Sequence, residues 1–303
     1  MELFEVNALK KLNEKIAFAI GFFDGVHLGH QQVIQQALDH AQEQGVKCVV
    51  MTFDTGPKVA LGLTENEGYV TPLEAKLKLL EQMGVDGALV IKFDASFLCL
   101  SPDSFIQKYL LELNACFVSV GFDFRFGHRG EGDTTLLQTF SPFETKVLAP
   151  ILSDGAKIST TKIKQCLKAA DLAEITQMLG RPFSVAGEVV SGKQLGRTIG
   201  FPTANLKLNP TQMLPARGVY ATFSYVDEKR YASMTNIGFN PTANRVKQLA
   251  VETHLLDFEG DLYGKAVRIE FREKIRDEVQ FDGLPALMAQ LKKDRDRVAA
   301  LPV

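Results

Sequence analysis

Two histidines stand three residues apart in a glycine-rich stretch near the amino terminus, residues 21–30, which reads GFFDGVHLGH. Residues three apart face the same side of a helical turn, so His27 and His30 can both donate a hydrogen bond to one phosphate group. Gly25 and Gly29 let a ligand approach the backbone closely. The stretch therefore predicts a binding site for an anion such as a phosphate.

The flanking residues predict the elements that position these histidines. Residues 16–20 form an apolar run typical of a buried strand, and apolar residues recur at helical spacing over residues 31–44. The stretch is then a tight turn between a strand and the start of a helix. The amino terminus of a helix favours a negative charge, which supports the prediction of a phosphate site.

A second stretch with chemical potential follows another predicted strand, Cys116–Val120. Residues 121–127 read GFDFRFG, so Phe124 and Phe126 could stack on a planar ring, Asp123 could accept hydrogen bonds from ring nitrogens and Arg125 could hold a phosphate. Both stretches then lie at the same rim of one sheet. The alternative interpretation is that the phenylalanines are core residues.

Three further stretches contain candidate functional residues. Residues 158–164 (ISTTKIK) are a hydroxyl-rich helix start, or an ordinary Ser/Thr cap. Residues 192–205 (GKQLGRTIGFPTAN) form a glycine-rich loop, in which Thr203 and Asn205 offer the oxygen ligands that suit Mg²⁺. Glu252 interrupts an otherwise strand-like run and is a candidate general base, or an exposed strand position.

One apparent phosphate-binding motif is rejected. Residues 187–193 fit the pattern G-x-x-x-x-G-K, but Gln194 stands where a Ser or Thr would hold Mg²⁺. The flanking residues are also typical of a strand on both sides, whereas a P-loop lies between a strand and a helix.

The composition sets the class of protein. The 303 residues are 46% hydrophobic and 23% charged, which suits a globular protein of two domains. A net charge of −2 argues against a nucleic-acid binder that works through a basic surface. No signal-like segment and no apolar run of membrane-spanning length is visible, and the four scattered cysteines suit a reducing cytoplasm.

The order of predicted elements gives the fold class. Strands alternate with helices from residue 16 to about residue 180, including a helix at 101–113 and a strand at 147–151, so we expect a Rossmann-like parallel sheet over residues 1–181. After residues 180–182 (GRP) the chain changes to alternating strands and turns. Residues 182–303 are therefore expected to form a small antiparallel β-barrel with a closing helix at 284–298.

These stretches resemble two enzyme families. The H-x-G-H turn resembles the adenylyl- and cytidylyltransferase superfamily, residues 121–127 match the flavin-binding segment of bacterial flavin adenylyltransferases, and residues 158–164 stand where the superfamily has I-S-S-T-x-I-R. The second half resembles the riboflavin kinases through residues 192–205, 217–220, 236–242 and 252–264. Over nearly its full length the chain resembles the bifunctional prokaryotic riboflavin kinase/FAD synthetase family.

The resemblance implies two reactions and their substrates: ATP, riboflavin and FMN. The barrel would phosphorylate riboflavin to FMN with Glu252 as base and Mg²⁺ on Thr203 and Asn205, and the first domain would adenylylate FMN to FAD with His27 and His30. Asp123, Phe124, Arg125 and Phe126 would bind the flavin. The implied ATP- and phosphate-binding residues are Gly21, Phe22, Asp24, Gly25, Gly29, Ser159, Thr160, Thr161 and Lys164 in the first domain, and Gly192, Lys193, Gly196, Arg197, Gly200 and Pro202 in the second.

Two positions depart from the family pattern. Residues 53–57 read FDTGP where the family has F-[DE]-P-H-P, and Lys164 replaces an arginine, which keeps the charge but not the bidentate geometry. A riboflavin kinase with a weak or inactive adenylyltransferase domain, and a flavin-binding module without catalysis, therefore stay open as alternatives. The sequence also leaves the oligomeric state open.

Overall fold

A computed structural model describes residues 1–62, 67–192, 196, 199–241 and 247–300 of the chain. The chain folds as two compact units, Met1–Thr160 and Thr161–Val303. The second unit thus includes two helices that precede residue 182, the start of the predicted second domain. The functional boundary between residues 181 and 182 remains a prediction.

The first unit is built on a parallel sheet of six strands in the order β1-β4-β3-β2-β5-β8. The strands of this unit are β1 (Glu2–Phe4), β2 (Ile16–Ile20), β3 (Lys47–Phe53), β4 (Gly87–Ile91), β5 (Ala115–Gly121), β6 (Arg125–Phe126), β7 (Gly132–Asp133), β8 (Glu144–Leu148), β9 (Leu152–Ser153) and β10 (Ala156–Lys157). The helices are α1 (Val6–Leu12), α2 (Leu28–Gln44), α3 (Pro57–Ala60), α4 (Leu73–Gln82), α5 (Ala95–Leu98), α6 (Pro102–Ile106) and α7 (Thr134–Gln138), with a π-turn at Gln107–Leu111 and a 3₁₀ turn at His128–Gly130.

Strand β2 shows why its sequence is apolar throughout. Ile16, Phe18 and Ile20 belong to one hydrophobic cluster, whereas Ala17 and Ala19 belong to another. A parallel strand covered on both faces needs apolar residues at every position, because both sets of side chains are buried. The parallel sheet predicted from the alternation of strands and helices is thereby confirmed.

Two predicted elements differ from the structure. The last strand of the sheet is β8, Glu144–Leu148, so the predicted strand at 147–151 was displaced towards the carboxyl terminus. Its residues are half-exposed because β8 is an edge strand, and this weakens the pattern of apolar residues. The helix predicted at 101–113 begins at Pro102 as expected but passes into the π-turn after Ile106.

The second unit begins with the helices α8 (Thr160–Ala169) and α9 (Leu172–Leu179) and continues as a closed antiparallel barrel in the order β11-β12-β15-β14-β13-β16. Its strands are β11 (Ser184–Val190), β12 (Ala204–Leu208), β13 (Gly218–Val226), β14 (Lys229–Pro241), β15 (Lys247–Leu255) and β16 (Ala266–Arg276), and helix α10 (Leu284–Ala299) follows. Most of residues 187–193 lie in or directly after strand β11, which agrees with the rejection of a P-loop there.

Helix α10 is fastened to the barrel by apolar packing and by a buried ion pair. Val298 packs with Ala221 and Met234 on the neighbouring strands. Asp294 is 1% exposed, and its Oδ2 accepts hydrogen bonds of 2.9 and 2.8 Å from Nε and Nη2 of Arg276. A charge that is buried and paired in this way stabilises one position of the helix on the barrel.

Candidate active sites

The histidine turn lies where the order of strands in the first sheet reverses. From β2 the chain adds β3 and β4 on one side and then returns to place β5 on the other side of β2. The turn after β2 starts at Gly21, and the aromatic stretch starts where β5 ends, at Gly121. Ligands bind at the carboxyl ends of parallel strands at such a reversal, so the structure brings the two predicted stretches to the same rim.

His27 and His30 form one stacked pair at the start of helix α2. Their ring centroids are 3.5 Å apart with an angle of 15° between the planes. His27 caps the helix, because its Nδ1 accepts a hydrogen bond of 3.2 Å from the backbone N–H of His30. A neutral His27 that accepts at Nδ1 carries its proton on Nε2.

Asp24 of the histidine turn accepts hydrogen bonds at its side chain and at its backbone carbonyl. The side chain is 3% exposed, and its Oδ1 accepts a hydrogen bond of 3.0 Å from the backbone N–H of Thr71. The backbone carbonyl of Asp24 accepts a bond of 2.9 Å from the hydroxyl of Thr160. Thr160 therefore contacts the histidine turn, and the role of Ser159 and Thr160 in binding ATP remains a prediction.

Two predicted phosphate-binding residues lie in the other unit. Thr161 and Lys164 are in the first two turns of helix α8, which is part of the second compact unit from residue 161 onwards. Lys162, which was not singled out from the sequence, forms an ion pair of 3.3 Å with Glu174 on α9. The role of Thr161 and Lys164 in binding ATP remains a prediction.

The predicted flavin-binding residues divide between the surface and the core. Phe126 is 5% exposed and packs in the hydrophobic core, 5.1 Å from the ring of Phe105. Phe124 is half-buried and stacks on Phe126 with a centroid distance of 5.7 Å. Phe124 is thus the ring of this pair that lies nearer to the surface.

Charged residues before and after Phe124 in the sequence form ion pairs at the surface. Asp123 is exposed and forms an ion pair of 2.8 Å with Lys157 of strand β10, whose ammonium lies 4.2 Å from the ring centroid of Phe122. Arg125 is exposed and pairs with Asp133 at 3.4 Å. Lys157 was not predicted from the sequence, because no local pattern connects it to residues 34 positions earlier.

In the second unit, Glu252 lies in a row of polar residues across three strands. In the ladder it is directly opposite Asn205 of β12 and Asn236 of β14. Directly opposed residues of antiparallel strands share one face of the sheet, with Cβ atoms about 5 Å apart. All three are half-buried, and a Cβ added to Gly192 would overlap the amide group of Asn205, so this amide packs against the glycine backbone.

His254 holds the loop that leads into this row. Its Nδ1–H donates a hydrogen bond of 2.7 Å to the carbonyl of Pro202, and its ring packs edge-on against Phe201 at 5.4 Å. Thr203 is exposed and is two residues before Asn205, just ahead of strand β12. His254 and Asn236 lie in the stretches that resemble riboflavin kinases, but the sequence alone did not predict them as site residues.

The glycine-rich loop is described only in part. The carbonyl of Gly196 accepts hydrogen bonds from the backbone N–H groups of Phe201 at 2.8 Å and Ile199 at 3.2 Å, which holds Gly196 close to both residues. Gly200 has a φ of +80°, in the left-handed region that favours glycine. The predicted phosphate-binding residues Lys193 and Arg197 lie outside the described residues, as does Thr242 of the quoted motifs.

The oxygen atoms near Glu252 fit a magnesium ion that arrives with ATP. Mg²⁺ is usually bound by one or two carboxylates or other oxygen ligands together with substrate phosphates and water. Thr203 and Asn205 offer a hydroxyl and an amide oxygen, and a carboxylate lies opposite Asn205. Among the described residues, no group of three His, Cys, Asp or Glu side chains could hold a metal ion alone.

Comparisons with known proteins match each half of the chain to one activity. A family model described as FAD synthetase matches residues 9–162, and one described as riboflavin kinase matches residues 179–301. Proteins named bifunctional riboflavin kinase/FMN adenylyltransferase are 39% identical in Listeria monocytogenes and 38% identical in Bacillus subtilis. The alignments cover 93% and 95% of this chain, and 91% and 92% of those proteins.

A solved structure has the same fold over the whole chain but a different name. The crystal structure of a protein named as a macrolide-efflux protein from Streptococcus pneumoniae is 29% identical, with a TM-score of 0.89 and complete coverage of both chains. In the described part of this chain, no helix is long and apolar enough to cross a membrane. The efflux name is that protein's own, whereas both family models and the relatives above agree on flavin chemistry.

Proposed function

This chain belongs to the bifunctional riboflavin kinase/FMN adenylyltransferase family, and on that premise we propose that it makes FAD from riboflavin in two ATP-dependent steps. The first step transfers the γ-phosphoryl group of ATP to riboflavin and yields FMN and ADP. The second transfers AMP from another ATP to the FMN phosphate and releases pyrophosphate. The observation that supports this most strongly is the match of two separate family models to consecutive parts of the chain.

We assign the two steps to separate parts of the chain. Residues 1–181 would adenylylate FMN, and residues 182–303 would phosphorylate riboflavin. The family models end and begin at residues 162 and 179, which is compatible with a boundary close to residue 181. The substrates ATP and FMN are cytoplasmic metabolites, which supports a cytoplasmic location.

In the kinase step, Glu252 would act as the general base. The 5′-hydroxyl oxygen of riboflavin attacks the γ-phosphorus, the bond to the bridging oxygen of ADP breaks, and the hydroxyl proton passes to the carboxylate. A half-buried carboxylate between two asparagines suits this role, because the amide groups can orient it and the bound hydroxyl. His254 would support the reaction indirectly, because it fixes the loop at Pro202.

Phosphoryl transfer depends mainly on orientation and on neutralisation of charge. We propose that Thr203 and Asn205 bind Mg²⁺ together with the ATP phosphates. When bound, the ion would neutralise the charge that develops on the transferred group. The turn from Gly196 to Phe201 would shape the phosphate pocket, and Gly192, Lys193, Arg197, Gly200 and Pro202 would contribute backbone and charge.

In the adenylyl step, this chain would need no nucleophile of its own. A phosphate oxygen of FMN attacks the α-phosphorus of ATP, and pyrophosphate leaves. Donors that are already in place at the developing negative charge can stabilise such a transition state, and we assign this role to His27, His30 and the backbone N–H groups of the turn. Ser159, Thr160, Thr161 and Lys164 would bind phosphate oxygens.

The flavin of the adenylyl step would lie against Phe124. Its half-buried ring at the rim of the sheet offers a stacking surface, and Phe126 supports that ring from the core. Asp123 and Arg125 are exposed beside it and could recognise polar groups of FMN. We therefore keep all four as flavin-site residues, with Phe126 in a packing role.

Gly56 stands where the family pattern has a histidine, and two aromatic rings pack against this glycine. A Cβ added to Gly56 would lie 3.4 Å from the ring of Phe22 and 3.6 Å from the ring of Tyr69, and these two rings are in edge contact at 5.4 Å. The aromatic pair thus packs against Gly56, and an added Cβ would be in ordinary van der Waals contact with both rings. The match to the FAD synthetase model favours an active adenylyltransferase over a kinase with a silent first half.

Chromatography of reaction products tests the proposal. The purified protein is incubated with ATP and Mg²⁺, starting in parallel from riboflavin and from FMN. We expect FMN and FAD from riboflavin, and FAD from FMN. FMN that accumulates without FAD would refute the adenylyltransferase half, and the absence of both products would refute catalysis and favour a binding module.

A further inference from the structure

A lysine is fully buried directly beneath the histidine turn. Lys76 of helix α4 is 2% exposed, and its ammonium donates hydrogen bonds to the carbonyl of Phe22 at 2.8 Å and to the hydroxyl of Thr52 at 2.9 Å. The Thr52 hydroxyl in turn donates to the same carbonyl at 3.0 Å. A lysine is almost never buried to this degree without such partners.

Burial of this charge is unfavourable, which indicates that the lysine has a role beyond filling space. Desolvation lowers the pKa of Lys76 to about 8, against the opposing effect of the carboxylates of Asp24 in the turn and Asp54 after strand β3. An apolar residue of similar length would avoid this cost. The ammonium also lies 4.6 Å from the ring centroid of Phe22.

The carbonyl that Lys76 holds belongs to a turn with an unusual backbone. Phe23 has a φ of 54° and Val26 a φ of 43°, and bulky or β-branched residues rarely adopt this left-handed region. Such conformations persist only where the surroundings impose them, and they are common at ligand-binding sites. The Phe22 carbonyl lies in the peptide bond directly before Phe23, so its two donors impose the orientation of that peptide.

The orientation of this peptide determines where its N–H points. The structure has no cis peptide bonds among the described residues, and in a trans peptide the C=O and N–H bonds point in opposite directions. Because the Phe22 carbonyl is held on the side of Lys76 and Thr52, the N–H of Phe23 points to the opposite side. Rotation of the peptide would reverse this direction.

We propose that Lys76 is a positioning residue for adenylyl transfer, because its ammonium holds the Phe22–Phe23 peptide and thereby keeps the turn in its ATP-binding conformation. This inference depends on the proposed function of the turn in binding ATP phosphates. Lys76 itself is beneath the turn and would not touch the substrate. Loss of its charge would therefore affect adenylyl transfer and leave the kinase step intact.

Replacement of Lys76 tests this role, with a matched control on the same helix. Lys76→Met removes the ammonium and keeps an unbranched apolar side chain one atom shorter, and Lys78→Met makes the same change at an exposed position. We expect Lys76→Met to lower kcat/KM for FMN adenylylation about 100-fold, the loss typical of a catalytic group displaced by about 1 Å. Riboflavin kinase activity should stay within twofold in both variants, and Lys78→Met should retain both activities.

The pH profile of the unmodified protein gives a second readout. With its pKa near 8, Lys76 is charged at pH 7 and largely neutral at pH 9, so the adenylylation rate should fall up to about tenfold between these values. The kinase reaction of the same protein serves as the internal control and should show no such fall. A lysine that only filled space would not separate the two profiles.

Three results would overturn the positioning role of Lys76. Adenylylation by a folded Lys76→Met protein within threefold of the unmodified level would overturn the positioning role. If this variant does not fold, identical pH profiles for the two reactions of the unmodified protein would overturn it. Failure of the unmodified protein to make FAD would refute the proposed function itself, and the role of Lys76 would fall with it.

Discussion

Replacement of Gly196 by alanine should disable the kinase step selectively. A Cβ on Gly196 would lie far inside 3.0 Å of the carbonyl oxygen of Phe201, and real Cβ atoms essentially never come that close to another atom. Phe201 is 6% exposed and packs in a hydrophobic cluster with Met234, so the loop rather than Phe201 must move. The same Cβ would also lie 3.4 Å from the Thr203 hydroxyl, one of the proposed magnesium ligands.

The size of the effect follows from the displacement. Relief of the overlap needs a movement of the order of 1 Å. A misplacement of this size in an active site lowers kcat/KM about 100-fold, which corresponds to a loss of about 2.7 kcal/mol in transition-state stabilisation. Gly200→Ala provides a graded comparison. Its φ is +80° but nothing lies within 4 Å of an added Cβ, so only the backbone cost of about 1–2 kcal/mol applies.

Steady-state assays of both reactions on each variant test this reasoning. Gly196→Ala should lose about 100-fold in kcat/KM for riboflavin phosphorylation, Gly200→Ala should lose less, and FMN adenylylation should be unchanged in both. Gly264→Ala is a control in the same unit, with a φ of +74° and open space around the added Cβ, and should retain kinase activity. Kinase activity of Gly196→Ala within threefold of the unmodified protein would refute the placement of this turn at the ATP phosphates.

Three further predictions concern single side chains. Glu252→Gln should lower riboflavin phosphorylation by about 10²- to 10⁴-fold in a steady-state assay, because the amide cannot accept the hydroxyl proton; normal activity would exclude Glu252 as the base. His30→Ala should lower FMN adenylylation by about 10²- to 10³-fold, because one donor to the transition state is lost, and a loss of kinase activity instead would contradict the assignment. Burial, aided by Asp86, raises the pKa of the Cys48 thiol to about 12. An aromatic disulfide reagent at pH 8 should therefore label the exposed Cys99 and spare Cys48 until the protein unfolds. Labelling of Cys48 in the folded protein, detected by mass spectrometry, would show that the sheet opens.

The sequence predicted the main elements of the fold because their residues follow simple periodic patterns. Strand β2 is apolar throughout because both of its faces are buried. The barrel strands alternate between apolar and polar residues because only one of their faces is buried. Strand β1 was missed because three residues, Glu2–Phe4, are too few to show a period. Strand β12 was missed because its first residues, Ala204 and Asn205, end a loop rich in glycine.

The sequence predicted the site where residues act within one local turn. The spacing of His27 and His30 was enough to predict a shared face, and the structure stacks their rings. Lys76 was missed because its partners are 54 and 24 positions away in the chain. One signal was available, since Lys76 is four residues before the fully buried Leu80 and so interrupts the apolar face of its helix.

Asn236 and Lys157 were missed for a similar reason. Asn236 aligns with Glu252 only through the register of β14 and β15, which the sequence does not define. Lys157 forms its ion pair with Asp123 because a short hairpin of two-residue strands, β9 and β10, positions it there. Contacts of this kind depend on the pairing of distant segments, so they need a structure.

Complementation between two single-site variants tests the central claim of two active sites in one chain most directly. Glu252→Gln should make FAD from FMN but not from riboflavin, and His30→Ala should make FMN from riboflavin but no FAD. A mixture of the two proteins with riboflavin, ATP and Mg²⁺ should therefore produce FAD, because FMN released by one protein can be adenylylated by the other. If Glu252→Gln also loses FMN adenylylation, or His30→Ala also loses riboflavin phosphorylation, the two steps depend on one shared site and the assignment of two active sites is contradicted.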